Sequence, residues 1–304
     1  MAITPIFSSL CELANRLPVM IAEFLDIEQK LKRRFREDSV TDILVASLLS
    51  LPGNDVVVLT PSEAKTGGDF DLVIMDPVSG DAVQFRIQDK RLTPHKHDWA
   101  TGSYVELAHP HNSGGQSRAL IRSVGSEKIM TIPLYVFYTP AHVCAASGGT
   151  VSGIELASGW EIRERIKAIV KVKPKRLPYK RIGSLQPLFF PISTILCAPI
   201  STSRTSNVPM PSDVRTAVMD TIESRSRLAG FGQTLAIAEA AVPRLPGESD
   251  SEGDATPFRD RSSRAAPGGR RDDLPAIIRS AVERRGEMVI TAKVKRPKVL
   301  LISG

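Results

Sequence analysis

Between residues 63 and 92 the chain reads EAKTGGDFDLVIMDPVSGDAVQFRIQDKRL, a stretch whose polar residues can do chemistry together. Glu63, Asp69 and Asp71 bring carboxylates, Gln88 an amide oxygen and Lys90 an ammonium. Hard oxygen donors around an open position suit Mg2+ or Mn2+. A lysine beside them can stabilise charge developing on a phosphate or help deprotonate an attacking water. The chemistry such a group supports is phosphodiester hydrolysis.

Two strands would have to bring these groups together. If DPVSGD turns the chain between Val78 and Ser79, antiparallel pairing sets Phe70 opposite Ile87, Leu72 opposite Phe85 and Ile74 opposite Val83. These pairs form one apolar face. The other face then carries Asp69 opposite Gln88 and Asp71 opposite Arg86, with Lys90 two residues further on. Glu63 precedes the Gly67-Gly68 pair and could swing in as a further carboxylate. The plainer alternative is a solvated hairpin face. Asp71 reads better as a charge partner of Arg86 than as a ligand, and Glu63 is as easily a surface residue. Asp89 falls on the apolar face, where an unpaired carboxylate is costly. It needs a partner such as Arg91 or a neighbouring helix, or else the strand is bulged.

The flanking pattern names the elements that hold this hairpin. VMIAEFLDIEQKLKRRFRE and SVTDILVASLLSL space apolar residues by three and four, as helices do, with Ser39 or Thr41 as a plausible N-cap of the second. DVVVLTP, FDLVIMD and AVQFRIQ read as a three-strand meander. A helix follows from about Gly115, then IPLYVFYTP, a continuous apolar run typical of a strand buried on both faces, then the helix GWEIRERIKAIVKV. The order implies an α/β or α+β core ending near residue 200. After residue 203 the composition changes, and GESDSEGDATPFRDRSSRAAPGGRRDD is polar and rich in glycine. The expected organisation is a domain over 1–203 and a partly disordered, low-complexity appendage over 204–304, with short helices and a terminal strand.

A net charge of +7 favours an anionic partner such as nucleic acid. RIKAIVKVKPKRLPYKR, residues 165–181, holds eight Lys or Arg and no acid. Lys171, Lys173, Lys175 and Arg176 could track phosphates without reading sequence, or could be a solvated helix end. All five histidines lie between 95 and 142, and their two HxH pairs could hold zinc, but the segment reads better as a polar loop near the site. Cys11, Cys144 and Cys197 are widely spaced and suggest reduced thiols in a cytosol. No stretch reads as a signal peptide or a membrane span.

Asp, a hairpin, then Gln-x-Lys on the next strand resembles the PD-(D/E)xK nuclease superfamily in its Mrr-like form, where glutamine replaces the acid. SVTDILVASLLSL, EAKTGGDFDLVI, VQFRIQDKRL, GGQSRALI and IPLYVFYTP also follow the order of the DUF6615-type bacterial family, over roughly residues 35–145. The resemblance implies a restriction-endonuclease-like core, with a central mixed β-sheet flanked by helices. It makes Asp69 and Gln88 metal ligands with Glu63 as accessory, Lys90 the catalytic lysine, and Gln116 a residue near the active site. Gln116 could equally be a helix-start residue that satisfies backbone groups. The expected activity is Mg2+- or Mn2+-dependent cleavage of DNA in the cytoplasm, in a bacterial defence setting. A homodimer and a regulatory partner on the C-terminal appendage are further expectations. The alternative is a catalytically weak nucleic-acid-binding module of the same fold.

Overall fold

Alternate residues of the central strands enter different cores, and this alternation sets the layers of the molecule. The computed structural model describes residues 5–31, 37–53, 55–61, 70–95, 98–108, 115–124, 129–171, 180–197, 207–228, 274–294 and 296–303. Its helices are α1 (Leu10–Lys30), α2 (Glu37–Leu49), α3 (Gly115–Val124), α4 (Ala141–Ala146), α5 (Gly159–Lys171), α6 (Ile182–Leu185), α7 (Ser193–Leu196), α8 (Pro211–Leu228) and α9 (Ala276–Glu283). The strands are β1 (Val56–Pro61), β2 (Phe70–Met75), β3 (Ala82–Arg91), β4 (Thr93–His95), β5 (Asp98–Ser103), β6 (Met130–Tyr138), β7 (Ile154–Ser158), β8 (Phe190–Pro191), β9 (Val289–Ala292) and β10 (Lys298–Ile302).

Eight strands form one mixed sheet in the order β8-β7-β6-β3-β2-β10-β1-β9, and β4 pairs with β5 separately. The fold is thus α/β, with a central mixed sheet flanked by helices. On one face Val83, Phe85 and Ile87 pack with Leu17 and Leu25 of α1, Leu44 of α2, and Val214 and Val218 of α8. On the other face two clusters form. Tyr135 and Phe137 meet Leu120 of α3 and Ile162 of α5. Val73 and Leu300 meet Ile278 and Ala281 of α9. Gly159, the first residue of α5, lies so close to β6 that a Cβ would stand 2.9 Å from the Pro133 carbonyl oxygen.

Three expectations need correction. The meander is interrupted: β10 lies between β1 and β2, antiparallel to the first and parallel to the second. Within residues 204–304, α8 contributes Val214, Val218 and Ile222 to the main core and β10 is interior, so these parts are not an appendage. The polar stretch 247–273, where disorder was expected, lies outside the described residues, as does all of 229–273. Finally, Cys11 and Cys197 form a disulfide with Cα atoms 4.8 Å apart, tying the start of α1 to the residue after α7. Cys144 is a free thiol, pushed up to about 12 by burial and the nearby Glu155 charge. No helix among the described residues is long and apolar enough to cross a membrane.

Two predictions follow from this packing. A chain ending at residue 273 leaves β1 and β2 without their shared partner, so it should show no cooperative thermal transition; a sharp melt would contradict the central role of β10. Glu161 of α5, which accepts a hydrogen bond from Ser226 of α8, is raised from 4.5 to about 7, chiefly by burial. A carboxyl raised on folding contributes stability that is full below 4.5 and lost as pH rises through about 7. That loss is on the order of 3 kcal/mol. Glu161→Gln should flatten the fall in melting temperature between pH 5 and 8, and an unchanged pH profile would refute this assignment.

Candidate functional site

β3 is continuous from Val83 to Arg91 against β6, without a bulge. Against β2 it adopts the register that the alternation predicts, with Phe70 opposite Ile87, Asp71 opposite Arg86, Leu72 opposite Phe85 and Ile74 opposite Val83. Its polar side is not a solvated face. Gln84, Arg86, Gln88 and Lys90 are 1%, 4%, 1% and 3% exposed. They lie on the face that carries the two separate clusters, one under α3 and α5 and one under α9.

At one end of this strip an ion network crosses three strands. Arg86 forks onto Asp71, Nε to Oδ1 at 2.9 Å and Nη2 to Oδ2 at 3.1 Å. Lys298, the first residue of β10, donates to Asp71 Oδ2 and to Gln84 Oε1, the latter at 2.8 Å. Burial pushes the Asp71 carboxyl upward, but the Arg86 and Lys298 hydrogen bonds and charges outweigh it and hold the group below its ordinary range. Asp71 is therefore committed as a charge partner, as its position opposite Arg86 suggests. With Oε1 held by an ammonium, Gln84 turns its Nε2 away, and that atom has no partner among the described residues.

Gln88 differs from its neighbours. Both its Oε1 and its Nε2 are buried without a hydrogen-bond partner among the described residues. A buried amide left unpaired on both sides costs free energy, so the position needs a polar partner beyond the described residues, such as a water, a further side chain or an ion. Asp89, on the opposite face, is anchored on a neighbouring helix: Thr41 of α2 donates to its Oδ2 at 2.5 Å and lies 3.0 Å from the Tyr138 hydroxyl. Arg91 pairs instead with Glu28 of α1. These two contacts brace the strand on either side of Lys90.

The structure brings Gln88 and Lys90 together on one strand face, two residues apart. Asp69 and Glu63 lie outside the described residues. Gln116 sits in the first turn of α3 and is exposed. Lys171 is the last residue of α5, with its side chain outside the described set, as are Lys173, Lys175 and Arg176 entirely. Of the histidines, His142 is paired with Asp26 of α1 at 2.5 Å; the side chains of the other four are not among those described. No three His, Cys, Asp or Glu side chains among the described residues cluster as a metal site. Gln88 Oε1 is nevertheless a neutral oxygen donor of the kind a hard cation accepts.

A family model described as "Family of unknown function (DUF6615)" matches residues 10–304. The chain belongs to the DUF6615 family. No curated protein and no solved structure matches it. The DUF6615 match runs through α8, α9 and β10, so the family unit includes the strand that delivers Lys298. Reading the DUF6615 chain from its sequence misses Lys298, because KVLLI shows only a buried strand and not which strands flank it. Asp71→Asn should destabilise the protein by about 3–5 kcal/mol at pH 7, the usual loss when one partner of a buried ion pair goes. The sign follows from the depressed carboxyl: its contribution is present above the ordinary carboxylate range and lost as pH falls through the folded value. The melting temperatures of parent and variant should therefore converge in strong acid, and a constant gap would refute the network.

Proposed function

We propose that this protein is a metal-dependent nuclease that hydrolyses DNA phosphodiester bonds. The observation that carries the reading is the buried Gln88 amide, unpartnered at both ends among the described residues, two residues from the buried Lys90 on the same strand face. Gln88 Oε1, together with the carboxylates of Asp69 and Glu63, would hold Mg2+ or Mn2+. When bound, such an ion polarises the scissile phosphate and lowers the pKa of a water. Lys90 presents its ammonium to the attacking water or to a non-bridging phosphate oxygen. Buried from water, that charge acts more strongly than it would at the surface. The bracing of Asp89 by Thr41 and of Arg91 by Glu28 keeps both side chains out of the site and limits movement of the residue between them.

A second reading, a catalytically weak nucleic-acid-binding module, draws on one observation. Asp71, two residues along from Asp69, is occupied by Arg86 and Lys298, so it adds no ligand. The neutral glutamine also offers a weaker ligand than a carboxylate.

Incubating the full chain with plasmid, linear duplex and RNA in Mg2+, Mn2+ or EDTA separates these readings. The nuclease reading expects cleavage of DNA that EDTA abolishes. Lys90→Ala should lower the rate by roughly 10² or more while leaving duplex binding nearly intact, the scale of losing one electrostatic group in a transition state. Asp69→Ala should match it, and the double variant should be little worse than either, as for residues that act as a unit. Folded Lys90→Ala cutting at the parental rate would sink the assignment, and duplex binding without cleavage in any metal would favour the binding module.

A further inference from the structure

Along α1 one row of apolar residues repeats at alternating steps of four and three: Leu13, Leu17, Met20, Phe24, Ile27 and Leu31, the residue that caps the helix. The chain itself covers only the first half of this row. Leu13 and Leu17 lie in the main core, and Met20 is partly buried against it. Phe24, Ile27 and Leu31 are 44%, 51% and 52% exposed. The spacing is that of a coiled-coil seam, in which two apolar positions in every seven residues face a partner helix. The position just before Phe24 and just before Leu31 flanks such a seam, and it holds Glu23 and Lys30. Glu23 is exposed; the side chain of Lys30 lies outside the described set.

We propose that the exposed half of this row is a homodimer interface, in which α1 packs antiparallel against α1 of a second copy about a two-fold axis between Phe24 and Ile27. The charges beside the seam select this arrangement, since flanking charges set partner orientation. With Phe24 against the partner's Ile27 and Met20 against the partner's Leu31, all four apolar positions are used, and each Glu23 falls beside the partner's Lys30. Sliding the pair by half a repeat matches only two of the four. It also brings Glu23 beside the partner's Glu23, or Lys30 beside the partner's Lys30. A parallel pair sets Glu23 beside the partner's Glu28, a like charge at a position already committed to Arg91. The complement of this surface is therefore the same surface, as a two-fold interface requires.

The test is sedimentation equilibrium of the full chain between roughly 1 and 100 µM, a range suited to an interface at the small end of the size scale. The mass should rise with concentration from 33.1 kDa toward twice that value. Phe24→Glu/Ile27→Glu should stay monomeric throughout. Because both side chains are exposed, its melting temperature at low concentration should match the parent's. Glu23→Lys should weaken association by roughly 10-fold, since two attractive pairs become repulsive. Glu23→Lys/Lys30→Glu, which swaps the charges, should restore it. A parent that stays monomeric overturns the proposal, and so does a dimer that survives Phe24→Glu/Ile27→Glu, which would place the interface elsewhere. A monomeric parent that binds phosphatidylserine vesicles, with binding lost in that variant, would assign the row to a membrane surface. A Glu23→Lys dimer as tight as the parent's would refute the antiparallel register.

Discussion

The carboxylate of Asp71, gripped by Arg86 on one side and Lys298 on the other, fixes how the last strand enters the sheet. β10 reads KVLLI and is buried on both faces, so its apolar residues alone do not select a register. A slip of one or two residues would still bury leucine, valine or isoleucine. It would, however, carry the Lys298 ammonium away from Asp71 and leave a buried carboxylate with one cation fewer. Buried ion pairs add little net stability compared with apolar packing, yet breaking one is expensive. This asymmetry makes Lys298 a register lock, a role that Val299, Leu300 and Leu301 cannot fill.

The lock also explains why residues far apart in the chain depend on one another. β1 and β2 are close in sequence, but each pairs with β10 rather than with the other. The hairpin that presents Gln88 and Lys90 is therefore held on one side by β6 and on the other by a sheet that is complete only when the chain's last residues are in place. On the α1–α2 face the same strand is fixed by Asp89 to Thr41 and by Arg91 to Glu28. The polar strip is thus set from both faces by contacts that themselves take no part in the proposed chemistry.

What could be read in the sequence is what short-range pattern determines. The β2–β3 register follows from alternation in FDLVIM and AVQFRI plus one turn, and it matches at every pair from Phe70–Ile87 to Ile74–Val83. A partner for Asp89 on a helix follows from the cost of burying a carboxylate. The neighbours of a continuously apolar strand do not follow, because such a strand satisfies any two flanking strands equally; this hid the insertion of β10. The burial of Gln84, Arg86, Gln88 and Lys90 was hidden for a related reason, since alternation separates two faces without saying whether helices cover the second. The Cys11–Cys197 bond spans 186 residues and no local spacing announces it. Helix α8 is legible in short-range pattern: Val214, Val218 and Ile222 repeat at four-residue intervals after Pro211, a residue suited to a helix's first turn.

The charges of the strip also constrain the proposed chemistry. Among the described side chains, Arg86, Lys298 and Asp71 leave one net positive charge roughly 6–7 Å along the strand from Gln88, the separation of alternate residues on one face. In a region shielded from water that charge opposes a divalent cation and favours an anion. A glutamine ligand adds no negative charge to offset it, whereas a carboxylate at the same position would. On the nuclease reading, the balance must come from Glu63 and Asp69 and from the scissile phosphate itself, so the substrate completes the electrostatics that hold the ion. On that reading the neutrality of Gln88 would have a consequence beyond weaker binding: it would make occupancy of the metal position depend on the presence of the phosphate that the metal is to activate.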